Sequence, residues 1–142
     1  MATMRLEIIT AESVIFSDDV EGLVAPGNQG ELGILPQHAA LMTALQGGEI
    51  AVRKQDGDVY LAVSGGFLEI VDNKVVILAD TAEISGDIDE SRARAAMTRA
   101  EDRLTSGSDE VDSVRATAAL HRSQVRLKVS QRRNSSRSAT SV

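Results

Sequence analysis

Hydrophobic and polar positions alternate with a period of two from residue 4 to about residue 85. Leu6 and Ile8 alternate with Arg5 and Glu7, while Glu49-Ile50-Ala51-Val52-Arg53 and Val59-Tyr60-Leu61-Ala62-Val63 flank an Asp56-Gly57 pair. Such a pair between alternating runs predicts a β-hairpin, because glycine accepts the positive φ of a tight turn. Phe67 to Val71 and Lys74 to Leu78 flank Asp72-Asn73 and predict a second hairpin. Most of the eleven glycines fall in this stretch. Gly65-Gly66 is placed in a turn between strands, and the segment Gly27 to Gly33 in another. Several short strands at regular spacing, with no helical period between them, predict an antiparallel sandwich or barrel.

At Gly86 the period changes. Asp87 is placed as an N-cap, and SRARAAMTRAEDRL consists of strong helix formers. Thr105-Ser106-Gly107-Ser108 breaks that helix, and Asp109 caps a second one, DEVDSVRATAALHRSQVRLKVSQRR. Its acids stand at the N-terminal end and its bases at the C-terminal end, as the helix dipole favours. Two helices joined by about four residues fold back antiparallel. The expected contact face uses Ala93, Ala96, Met97, Ala100 and Leu104 against Val111, Val114, Ala118, Val125 and Val129. Small side chains bury little area, and at about 25 cal/mol per Å² the gain barely offsets the cost of ordering the segment. The hairpin is therefore expected to depend on a partner or ligand. The final NSSRSATSV is expected to be disordered. The organisation read from the sequence is a β-sandwich over 1–86, a helical hairpin over 87–133 and a tail over 134–142.

Composition narrows the chemistry. The aromatic residues are Phe16, Tyr60 and Phe67, without tryptophan, so the core must be aliphatic. The absence of cysteine excludes disulfides and thiolate metal sites. No apolar run reaches the roughly 18–20 residues that span a bilayer, and MATMRLEIIT lacks the apolar stretch of a signal peptide. A soluble protein, reaching membranes only through partners, is expected. The net charge of −6 hides an asymmetry: residues 1–86 carry 4 basic and 13 acidic side chains, residues 87–142 carry 11 and 8. Residues 118–142 contain six bases and no acid. The two ends of the chain face different electrostatic tasks.

The segment VEGLVAPGNQGELGILPQHAALMTALQGGEIAVR resembles the signature region of the epsilon subunits of F-type ATP synthases, with the core string Gly30-Glu31-Leu32-Gly33-Ile34-Leu35-Pro36 followed by His38-Ala39. Ser64-Gly65-Gly66-Phe67-Leu68-Glu69 and Val76-Ile77-Leu78-Ala79-Asp80-Thr81-Ala82-Glu83 follow at the family's usual places, and the resemblance covers roughly residues 4–133. One departure is Ala40, where the family commonly has proline. The resemblance implies a ten-stranded antiparallel β-sandwich followed by a helical hairpin. It also implies a non-catalytic rotor-stalk subunit, peripheral to the cytoplasmic side of a bacterial plasma membrane. Its sandwich would dock on the gamma subunit and rest on the c-ring. Its hairpin would lie folded or extend towards the alpha and beta subunits, the extended form inhibiting ATP hydrolysis.

Ile88-Asp89-Glu90-Ser91-Arg92-Ala93 fits the pattern with which this family binds ATP. Asp89 could accept from the adenine amine or the ribose, Arg92 could reach phosphate as a fork of donors, and Ala93 leaves room for the base. Reflection through Gly107 places Arg92 opposite position 122 and Ile88 opposite position 126, and both positions are arginines one helical turn apart. Arg122 and Arg126 would then converge with Arg92 on a polyphosphate. Arg99 could join them, and Glu83 resembles a further family contact. The plainer reading makes Asp89 a first-turn dipole partner and the arginines solvated.

The basic run Arg122, Arg126, Lys128, Arg132, Arg133 suits an acidic segment of the beta subunit, or is a solvated face. Glu31 resembles the family's c-ring contact, or is a turn residue; His38 reads as structural or interfacial. Nucleic-acid binding is disfavoured, since no aromatic is interleaved with the basic run and the first part of the chain is acidic. The only other histidine is His121, so no metal site is expected. No GxxxxGK[ST] loop and no nucleophile–base pair is present, so no catalytic residue and no obligatory cofactor is expected, with ATP as a regulatory ligand. Alternatives are a structural stalk subunit without physiological ATP sensing, a free-standing nucleotide sensor and a small enzyme on a sandwich.

Overall fold

The computed structural model of the chain describes residues 2–106 and 110–140, with side chains described over 2–106 and 113–132. Two compact units follow one another, Met1–Ile84 and Ser85–Val142. The first holds eight strands: β1 (Met4–Ile9), β2 (Val14–Val20), β3 (Gly22–Gly27), β4 (Gly30–Ile34), β5 (Leu41–Arg53), β6 (Val59–Val71), β7 (Lys74–Ala79) and β8 (Ala82–Ile84). They form one hydrogen-bonded sheet in the order β2-β1-β7-β6-β5-β3-β4, with β8 paired to β6. Every pair is antiparallel except β1 with β7, which is parallel. The fully antiparallel expectation fails there because those two strands are joined through all the intervening ones, a connection long enough for a parallel neighbour.

Both expected hairpins form. Val52 pairs with Val59 across the Asp56-Gly57 turn, and Val71 with Lys74 across Asp72-Asn73. Asp72 and Asn73 both take positive φ (49° and 62°), the geometry of a tight two-residue turn.

The strand count is eight instead of ten because β5 and β6 are each thirteen residues long and each serves both layers. Their alternation slips by one residue at the same level. In β5 the inward residue Leu45 is odd-numbered, whereas Ile50 and Val52 are even; in β6 Leu61 and Val63 face inward, then Leu68 and Ile70. A one-residue slip turns the opposite face of a strand towards the core. The sheet thus folds over along this crease, and both halves enclose one aliphatic core that includes Leu6, Ile8, Leu23, Ile50, Leu68 and Ile77. Gly65-Gly66 therefore lies inside β6, not in a turn between strands. Gly66 has φ 146°, and a Cβ there would overlap the carbonyl oxygen of Leu78 on β7.

Lys54, beyond the end of β5, ties that hairpin to β2 through Asp18 (Nζ to Oδ2 2.6 Å) and stands 6.0 Å above the Phe16 ring centroid. The ammonium hydrogen-bonded to Asp18 holds its carboxyl below the usual carboxylate range. The help this gives the fold is present above the ordinary aspartate pKa and fades as pH falls through the lowered one.

The second unit contains a 3-10 turn (Ser85–Asp87), α1 (Glu90–Thr105) and α2 (Glu110–Thr140). Helix α2 packs on α1 and also on the turn before it, so the chain doubles back. Its backbone continues past residue 133 because neither glycine nor proline interrupts Glu110–Thr140. Gly107 and Asp109, the expected hinge and second cap, and the side chains of Val111 and Arg133 lie outside the described residues. Ala93 and Ala100 are buried on α1, and among the described residues of α2 the buried ones are Ala116, Ser123, Leu127, Val129 and Ser130. Val114 and Ala118, expected in the contact face, are exposed. Val129 is buried as expected, and serines join it in the buried face because each hydroxyl donates to a carbonyl of its own helix, Ser123 to Ala119 (2.9 Å) and Ser130 to Leu127 (2.8 Å).

Gly66→Ala should destabilise the sandwich by about 3 kcal/mol, from backbone strain and overlap together. Gly57→Ala, where φ is 132° with open space around it, should cost only about 1 kcal/mol. Urea unfolding of both variants checks this, and a wild-type midpoint for Gly66→Ala contradicts the crease.

Candidate functional site

Strands buried on one face normally alternate apolar and polar residues. Phe67-Leu68-Glu69-Ile70-Val71 and Lys74-Val75-Val76-Ile77-Leu78 carry apolar residues on both faces. The pairing lines the outward ones up. Val14 of β2 pairs with Ile9 of β1, Ile9 with Leu78 of β7, Leu78 with Phe67 of β6, and Phe67 with Ala44 of β5. An apolar row thus crosses five strands on the outside of the sandwich, and Val14, Leu78 and Phe67 in it are 59%, 55% and 60% exposed. The next row outward is Met42, Glu69, Val76, Glu7 and Ser17, and the one beyond contains Val71, Lys74, Arg5 and Asp19. Polar side chains there partner one another: Lys74 lies 3.7 Å from Glu7, and Arg5 pairs with Asp19 at 3.4 Å and donates to Ser17 at 2.7 Å. An exposed apolar band with a polar rim marks a surface that another protein covers. The sequence reading missed it, although the doubly apolar strands were a legible signal.

The two expected partner-contact residues of this unit sit elsewhere on it. Glu31 is exposed on β4, opposite Pro26, and shares its face with Gly33. A hollow of about 280 Å³ lies on that side, lined by Gly22, Val24, Gly33, Leu35 and Ala51 among others, with Arg53 and Asp58 beside it. His38 is exposed in the segment between β4 and β5, with its Nδ1–H donated to the Ala39 carbonyl at 2.8 Å. Asn73 anchors that segment. Its Oδ1 accepts from the Gln37 amide (2.8 Å) and its Nδ2 donates to the Thr3 carbonyl (2.9 Å). Glu83 is half-buried on β8, paired with Ala62.

In the helical unit the structure brings Asp89 and Arg92 together. The N-cap of α1 is Asp89, not Asp87, because Ser85–Asp87 is taken up in the 3-10 turn and the helix starts two residues later. Asp89 Oδ1 accepts from the Arg92 amide at 3.1 Å, and Oδ2 lies 3.8 Å from Arg92 Nε. The Arg92 side chain is 86% exposed. Ile88 and Ala93 are buried, flanking the cap. Arg99 is exposed on α1; on α2, Arg122 and Arg132 are exposed and Arg126 is half-buried, its Nε enclosed. At this turn both Asp89 oxygens are engaged, one by the cap and one beside Arg92, and the exposed Arg92 guanidinium is a group that suits an anion.

Comparison with known proteins assigns both units. Residues 3–85 match the family model described as ATP synthase, Delta/Epsilon chain, beta-sandwich domain, and residues 87–131 match the one described as ATP synthase, Delta/Epsilon chain, long alpha-helix domain. The chain is 51% identical over 132 residues to the ATP synthase epsilon chain of Brevibacillus brevis, covering 92% of this chain and 100% of that one. It is 46% identical over 137 residues to the epsilon chain of Dehalococcoides mccartyi, covering 94% and 96%. Among solved structures, a chain of the Euglena gracilis mitochondrial ATP synthase (OSCP/F1/c-ring) shares the fold with TM-score 0.74 at 24% identity, covering 84% of this chain and 76% of that one. A chain of the Tetrahymena thermophila mitochondrial ATP synthase (central stalk/c-ring) does so with TM-score 0.58 at 18% identity, covering 89% and 96%.

Asp89→Ala should remove the cap of α1 and cost about 1 kcal/mol. Amide exchange at Arg92 should quicken while the sandwich amides are unchanged. Unchanged exchange at Arg92 contradicts the capping role.

Proposed function

The chain belongs to the ATP synthase epsilon family, whose members are non-catalytic, and from that premise we propose that it couples the rotor ring to the central stalk through its sandwich and senses ATP through its helices. The Val14–Ile9–Leu78–Phe67–Ala44 row seats on gamma. The end carrying Glu31 and the adjoining hollow rests on the c-ring, and His38 belongs to the same docking region. The complex stands at the cytoplasmic side of a bacterial plasma membrane, which this chain reaches through the ring. The apolar row carries this reading, because it runs outward across five strands while the core beneath is already complete. The central stalk/c-ring setting of the Tetrahymena relative supports it.

Asp89, Arg92 and Ala93 at the α1 cap, with Ile88 behind them, form the core of the ATP site, and Arg99, Arg122 and Arg126 supply further phosphate contacts. Bound ATP favours the folded hairpin by its differential affinity, and its loss releases an arm that carries Arg132 and Arg133 towards alpha and beta to restrain hydrolysis. A second reading, a stalk subunit without ATP sensing, is favoured by one observation: Asp89 already spends one oxygen on the cap and holds the other near Arg92.

Phe67→Asp should weaken binding of the chain to an alpha–beta–gamma core by about 2–3 kcal/mol, roughly a hundredfold, with its circular dichroism unchanged. Unchanged binding contradicts the docking surface. Calorimetric titration of the isolated chain with ATP should show Arg92→Ala and Arg126→Ala each losing about tenfold in affinity, the scale of one charge-assisted hydrogen bond. Equal affinities in the wild type and both variants leave the structural reading standing.

A further inference from the structure

Four methionines occur in the chain. Met4 is 2% exposed in the core, Met97 is half-buried on α1, and Met42 on β5 is 71% exposed. Among the described large hydrophobic residues, Met42 is the most exposed. The pairing fixes its surroundings. Met42 stands opposite Glu69, two residues along the strand from Ala44, and therefore diagonally beside Phe67. A diagonal cross-strand neighbour is about 7–8 Å away, within reach of a long side chain. Its thioether thus lies at the margin of the apolar row, open to solvent in the free chain and covered once a partner is seated.

We infer that Met42 is a sulfoxidation site, and that its oxidation bars the free chain from assembling. The inference rests on the docking role proposed for the apolar row. A peroxide is the oxidant. The sulfur lone pair attacks one peroxide oxygen, the O–O bond breaks, and the thioether becomes a sulfoxide while hydrogen peroxide is reduced to water. The product carries a strong acceptor oxygen where a flexible apolar side chain had been. Along its row this face offers that oxygen no donor within reach. Glu69 and Glu7 are acidic, Val76 is apolar, and the hydroxyl of Ser17 stands four strands away on β2, at about 4.8 Å per strand. Docking would strip water from the sulfoxide without replacing its hydrogen bonds, and a buried unsatisfied acceptor opposes binding. Assembly in turn covers the thioether, so oxidation acts on chains not yet incorporated and spares those already in place.

The test uses the full chain and its complex. The free chain is treated with hydrogen peroxide and mapped by peptide mass spectrometry, then titrated against an alpha–beta–gamma core. Met42 is expected to gain oxygen faster than Met97 and Met4, and to be protected in the assembled complex. The oxidised chain should bind at least tenfold more weakly, and methionine sulfoxide reductases should restore it. Met42→Leu should bind like the untreated wild type both before and after peroxide, and Met42→Gln should bind weakly without any oxidant. Oxidation of Met97 ahead of Met42, full affinity of the Met42 sulfoxide, or an equal loss in peroxide-treated Met42→Leu would each overturn the inference. If Phe67→Asp binds poorly while the sulfoxide binds normally, only the sulfoxidation site falls. If Phe67→Asp also binds normally, the docking surface falls with it.

Discussion

The first unit depends on one strand changing partners. β6 pairs with β5 along nearly its whole length, but its first half also takes β8 and its second half takes β7. Between those halves it must present its opposite face to the core, and so must β5 at the same level. Glycine at 66 permits this, since the left-handed backbone and the approach of the Leu78 carbonyl leave no room for a side chain. Without that crease the eight strands would form an open sheet with one buried face, and the inward sets of the two halves could not share a core.

The same crease sets the outer surface. Once the alternation slips, Phe67 faces outward although it stands amid apolar residues, and Leu78 and Ile9 follow through the pairing. Core formation alone gives no reason for these side chains to be apolar. A partner surface does. The helical unit differs: among its described residues the buried positions are alanine and serine as much as leucine and valine, side chains that bury little apolar area. Its polar capital is concentrated at the first turn of α1, where Asp89 closes the helix and faces Arg92. A rigid aliphatic sandwich that docks and a lightly packed helix pair that responds are the two halves of the proposed function.

Much of this was legible in the sequence, and the failures have physical causes. Asp56-Gly57 and Asp72-Asn73 located both hairpins because turn chemistry is local. Gly65-Gly66 was misplaced because a glycine pair signals a turn and an internal crease alike; the parity change between Val63 and Leu68 would have separated them. Asp87 reads as the cap in sequence because it is the first acid after Gly86, but the 3-10 turn it belongs to moves the cap to Asp89 and the helix start to Glu90. On α2 the apolar positions Val114, Ala118 and Val129 are equivalent by hydrophobicity, yet only Val129 of these is buried, and serines that satisfy their own hydroxyls bury as readily. The motif around Asp89 and Arg92 was found by family resemblance, and the structure gives both residues a capping geometry. The outer row needed cross-strand register, which joins residues as far apart as Val14 and Leu78.

The central claim is that the outward row exists to be covered. A structure of the assembled ATP synthase containing this chain tests it most directly. Phe67, Leu78 and Val14 are expected to lie buried against gamma, with Lys74 and Arg5 at the rim. An assembled complex in which that row faces water, and gamma is held by another face of the sandwich, would contradict it.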